Sequence, residues 1–89
     1  MTRMKGRADQ RITVHKSCAL AAQTFMLSIA AEGFESCPME GFDAVRVKKA
    51  LNLPEMAEIN MIISVGKGTP AGIWGERHRV PYEEVVIVK

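Results

Sequence analysis

A chain of 89 residues is one domain at most, and folded alone it buries only about 60 to 65% of its extended surface, so its stability is marginal. With 47% apolar and 25% charged residues it has the composition of an ordinary soluble globular protein, which argues against disorder. A net charge of +2 is too mild to point to a nucleic acid or a membrane, and Cys18 and Cys37 form neither a disulfide framework nor a metal-ligand spacing, as suits a reducing cytoplasm.

Residues 1–11 are polar, unpatterned and basic, and read as a solvated tail ahead of a folded unit spanning 12–89. They lack the apolar core of a signal peptide. From Thr13, a plausible N-cap, a long helix runs to Glu32 and is closed by Gly33. Gln23, Thr24 and Ser28 interrupt its apolar stretch from Cys18 to Ala31, so it reads as a buried helix rather than a membrane span. Phe34 to Cys37 is a short extended piece ended by Pro38. Asp43 caps a second helix with Val45, Val47, Ala50 and Leu51 inward and Arg46, Lys48 and Lys49 toward water, ended by Asn52 and Pro54. Ile59 to Val65 reads as a strand covered on both faces, Gly66 to Val80 as a glycine-punctuated loop, Pro81 to Glu84 as a turn and Val85 to Val88 as a terminal strand.

The first helix is apolar nearly all round. Cys18, Ala21, Ala22, Phe25, Ile29 and Ala30 form one stripe, yet Leu20, Leu27 and Ala31 lie on other faces. One short helix and about two strands are too little to surround it, so its remaining sides must meet a second subunit or another segment. The small residues Ala19, Ala21, Ala22, Ala30 and Ala31 would allow close helix-to-helix approach.

Two constellations carry candidate chemistry. In Pro38-Met39-Glu40-Gly41, a rigid proline followed by a glycine can bring bare backbone close to a flat ligand; the same four residues also suit a plain strand-to-helix turn. In an extended segment Arg77 and Arg79 share one face while His78 points away, and two guanidinium forks on one side suit a phosphate, or simply water. Gly66-Lys67-Gly68-Thr69 lacks the spacing of a nucleotide P-loop and reads as a turn. Neither His15 nor His78 has a partner at a metal or nucleophile spacing. Trp74 reads as a loop aromatic anchored against the body.

The run Ala21-Ala22-Gln23-Thr24-Phe25-Met26-Leu27, followed by Pro38-Met39-Glu40-Gly41-Phe42-Asp43, resembles the carboxy-terminal half of the FMN-dependent nitroreductase family, over roughly Cys18 to Val86. That resemblance implies an α+β fold fragment with a long central dimer-interface helix, a short second helix, a buried strand and a terminal strand open to exchange between subunits. It implies a homodimer holding FMN at its interface, so that the flavin does the redox work and no catalytic acid or nucleophile is needed. Pro38, Met39, Glu40 and Gly41 would lie against the isoalloxazine, with a backbone N–H of Glu40 or Gly41 at its reactive nitrogen, and Arg77 and Arg79 would hold the phosphate. The implied reaction is ping-pong, from NAD(P)H through flavin to a nitroaromatic, quinone or related acceptor. The family's early Arg and Ser cluster is not identifiable in residues 1–17, so the chain reads as a truncated half that pairs with itself or with a separate amino-terminal half. Two other readings stand beside it: a non-catalytic dimerising module without flavin, and a small nucleic-acid binder built on Arg3 to Lys16.

Overall fold

The computed structural model describes residues 6–89, and Arg3 and Lys5 of the expected tail lie outside them. Helix α1 spans Arg7–Ala31, strand β1 Glu35–Met39, helix α2 Ala44–Ala50, strand β2 Ile62–Gly66 and the one-turn helix α3 Tyr82–Val85, with a 3-10 turn at Pro70–Gly72. The architecture is α+β, as expected.

Helix α1 starts seven residues earlier than the sequence reading, behind Gly6 rather than Thr13. Nothing from Arg7 to Ile12 breaks a helix, and Asp9 in the first turn complements its positive end. The Thr13 hydroxyl does not cap; it donates back to the Asp9 carbonyl at 3.0 Å. The carboxyl end matches expectation. Gly33 adopts φ 82°, its N–H donates to Ala30 O, and the Phe34 N–H donates to Ile29 O at 3.1 Å. This is a Schellman closure, and it fixes the angle at which the chain leaves α1 for β1.

That angle decides which face of α1 is covered. His15, Ala19, Ala22, Met26 and Ile29 recur at helical spacing as the sheltered row, with Ile29 the most buried at 9% exposure. Only Ala22 and Ile29 belong to the stripe read from sequence; Cys18, Ala21, Phe25 and Ala30 face outward because β1 docks from the other side. The far side carries Leu20 and Leu27, 71% and 62% exposed. On that side the hydroxyls of Thr24 and Ser28 donate to the carbonyls four residues back, Leu20 O and Thr24 O. Their polar hydrogens are thus used within the helix, and the face can be covered without stranding a donor.

Strands β1 and β2 pair antiparallel, Glu35 opposite Gly66 through Met39 opposite Ile62. Pro38 lies inside β1 rather than ending it. Lacking an N–H, Pro38 must sit opposite Ile63 in a non-hydrogen-bonded pair, so the ladder bonds run through Cys37 with Ser64 and Met39 with Ile62. Strand β2 starts at Ile62 rather than Ile59, since Asn60 is drawn to α1 instead, and it is only half-covered: Ile62 and Ile63 are sheltered on the pair, whereas Val65 is exposed. Between the strands, Asp43 caps α2 by accepting from Val45 N and Arg46 N, and Asn52 at φ 54° closes it, with the Leu53 N–H on Lys48 O.

Beyond Gly66 the chain makes little contact with the rest. Val85 ends a helical turn instead of starting a strand, because the acidic pair Glu83 and Glu84 behind Pro81 suits a helix first turn; Val86 is extended and pairs with no strand among the described residues. The molecule is open. Its radius of gyration is 17.2 Å, where about 12 Å is usual for this length. Its accessible surface is 8357 Å², against about 5,200 Å² for a compact protein of this mass.

Candidate functional site

The bend from Pro38 to Gly41 is held at both ends. Pairing of Met39 with Ile62 fixes its start, and the Asp43 cap on α2 fixes its exit four residues later. Since Met39 sits in a hydrogen-bonded pair, alternation turns the N–H of Glu40 away from β2, toward the open side of the bend. Gly41 has no positive φ, and a Cβ built there would meet nothing within 4 Å. Neither backbone conformation nor packing inside this chain therefore calls for glycine at 41. A flat ring laid on the bend would find the bare Gly41 backbone and the exposed Met39 side chain, an apolar contact surface with room for close approach.

Arg77 and Arg79 lie in the irregular stretch between the 3-10 turn and α3. Arg79 Nη1 donates to the neighbouring His78 carbonyl at 2.9 Å, and among the described residues neither arginine makes an ion pair. Both guanidinium groups are exposed, with the charge a phosphate would need. Among the described residues no hydrogen bond or ion pair joins them to the bend, so the two halves of the expected site are present but not clasped to each other. Trp74, expected to anchor on the body, is instead 96% exposed.

A cluster that the spacing did not announce ties α1 to the approach of β2. Glu58 Oε1 accepts from Arg11 Nε at 2.5 Å and lies 3.2 Å from His15 Nε2, while Asn60 Nδ2 lies 3.1 Å from His15 Nδ1 and 3.2 Å from the His15 carbonyl. The amide donating to Nδ1 leaves the imidazole proton on Nε2, where it can reach Glu58. Hydrogen bonds from His15 and then Arg11 hold the Glu58 carboxyl below its ordinary value. Asn60 Oδ1 is buried without a partner. The cluster borders an open groove of about 660 Å³ that Arg7, Val14, Cys18 and Met56 also line. Its only trace in the sequence is the i, i+4 spacing of Arg11 and His15. A second, smaller cleft of about 350 Å³ lies at the far end of the hairpin, between Glu35 to Cys37 on one side and Lys67 to Thr69, Gly72 and Ile73 on the other.

Among the described residues no helix is long and apolar enough to cross a membrane, and no group of three His, Cys, Asp or Glu side chains could hold a metal.

Comparison with known proteins agrees with this layout. The model of the Nitroreductase family matches residues 1–67. MhqN of Bacillus subtilis, provisionally named an NAD(P)H nitroreductase, is 35% identical over 82 residues, covering 92% of this chain and 40% of its own length. A protein of Thermus thermophilus named NADH dehydrogenase is 39% identical over 62 residues, covering 70% of this chain and 29% of that one. The crystal structure of the Bacillus subtilis protein ydfN, described as a nitroreductase, superposes with a TM-score of 0.86 at 37% identity, over 94% of this chain and 41% of that chain. The chain thus spans about two fifths or less of the relatives it matches.

Proposed function

The chain belongs to the nitroreductase family, and from that premise we propose that it is the carboxy-terminal, flavin-facing part of an FMN-dependent oxidoreductase working with NAD(P)H. Pro38 and Met39 would lie along the isoalloxazine, the Glu40 or Gly41 N–H would donate to it, and Arg77 and Arg79 would hold the phosphate. When bound, FMN supplies the electron transfer from NAD(P)H to an acceptor such as a nitroaromatic or a quinone. The protein's share is to bind and orient. A fixed N–H at the ring supports the added charge of the reduced flavin, more strongly as the pocket dries.

The observation that carries this reading is Gly41: bare backbone just past β1, with no internal reason to be glycine. The site is completed between chains. An excess of about 3,200 Å² over a compact monomer is the scale of an obligate interface, and the Leu20 and Leu27 face of α1, with its hydroxyls internally satisfied, is the surface to cover. The second body is another copy or a polypeptide equivalent to the family's amino-terminal half, and the cytoplasm is where such an NAD(P)H-linked enzyme would work.

The test is flavin binding by the purified protein. Added FMN should give a bound flavin band that is lost in the Arg77→Ala/Arg79→Ala variant. A dimer that stays colourless with FMN in excess would mark the chain as an interaction module instead.

A further inference from the structure

Gly66-Lys67-Gly68-Thr69 is the one sequence motif the flavin reading leaves without a role. In the structure it lies at the end of the hairpin away from the bend, where Glu35 faces Gly66. One contact fastens it there, and one close approach leaves no room for a side chain at 68. Lys67 Nζ sits 5.3 Å from the centre of the Phe34 ring, within cation–π range. The Glu35 carboxylate occupies the space where any side chain at 68 would begin, so only a glycine at 68 leaves Glu35 in place. Beyond them, the turn at Pro70–Gly72 is closed by Gly72 N on Thr69 O, and Gly72 and Ile73 share a cleft with Glu35, Ser36 and Cys37. The loop therefore doubles back along the hairpin. Arg77 lies four residues past Ile73, a reach of about 14 Å at full extension.

We propose that Lys67 is a positioning residue, with Gly68 leaving it room beside Glu35: Lys67 fastens the root of the arginine-bearing segment to Phe34, and so sets where Arg77 and Arg79 meet the flavin phosphate. This role rests on the flavin reading above. Neither residue touches the ring or the phosphate. Phe34 is also the residue that closes α1 onto Ile29 O, so the fastening refers the arginine segment to the rigid α1–β1 junction.

The experiment compares FMN with riboflavin, which lacks the phosphate, by fluorescence titration of the full chain and its Lys67→Ala, Lys67→Arg and Gly68→Ala variants, alongside tryptic cleavage after Arg77 and Arg79 without flavin. A solvent-exposed cation–π contact predicts that Lys67→Ala weakens FMN binding about two- to fivefold, leaves riboflavin affinity unchanged, and is rescued by arginine. Gly68→Ala should act in the same sense, and both alanine variants should be cut faster after Arg77 and Arg79. A parent that prefers FMN over riboflavin by the same ratio as Lys67→Ala, or unaltered cleavage, overturns the positioning role alone. A parent that binds neither flavin overturns the flavin reading and this role with it.

Discussion

Residues 7–66 and residues 67–89 are built on different terms. The first stretch is stitched at each junction: a Schellman closure at Gly33, the β1–β2 ladder, the Asp43 cap, the Asn52 closure and the Arg11–Glu58–His15–Asn60 cluster. The second holds a 3-10 turn, a single helical turn and two arginines facing solvent, with its root as the main attachment. A backbone with so few internal contacts gains its order from what binds it. The stitched part carries the ring-side bend and the loose part carries the phosphate-side arginines, so ligand and second body would do the joining.

The largest effect should come from the uncovered helix face. Leu20→Asp with Leu27→Asp removes two leucines worth about 1.5 to 3 kcal/mol each when buried, so sedimentation should show the associated protein reduced to single chains or unfolded. Association unchanged by the pair would place the interface elsewhere. Next is Gly33→Ala, which forces a Cβ into the left-handed region at φ 82°; a loss of about 1 to 2 kcal/mol should lower the thermal midpoint by several degrees. Asp43→Ala removes both cap bonds to α2 and should cost about 1 kcal/mol. Because the cap sets the exit from the bend, it should also weaken FMN more than an equal destabilisation at Gly33 does.

The smallest effect is the pH dependence of the cluster. Glu58 is held below its ordinary value by His15 and Arg11, so its stabilising contribution is present above that ordinary value and fades as pH falls through the lowered one. Glu58→Gln should therefore be less stable than the parent in urea at pH 7, with the difference closing toward pH 3. A difference that widened in acid would reverse the assigned sign.

The same contrast explains what could be read from residue order alone. Helix ends at Gly33 and Asn52 and the cap at Asp43 were legible because each depends on one residue type at one local position. The bend was legible because Pro38 fixes its own φ and Gly41 leaves the backbone bare wherever they occur. The start of α1 was not, since Thr13 offers its hydroxyl equally to a cap or to the carbonyl four residues behind. Nor was the sheltered face of α1: with Leu20, Phe25 and Leu27 on several sides, periodicity cannot choose, and the choice was made by the exit angle at Gly33. Groups far apart in sequence, such as Glu58 with Arg11, 47 residues apart, leave no local pattern. Val85 to Val88 reads as strand by its β-branched residues, yet no strand pairs with it among the described residues, and the residues behind Pro81 coil into a turn first.

Native mass spectrometry of the purified chain with FMN tests the central claim most directly, since it reads association and cofactor on one particle. The account predicts a mass of more than one polypeptide carrying FMN, with flavin and association lost together in the Leu20→Asp/Leu27→Asp protein. A folded single chain that takes up no FMN at excess ligand would contradict it.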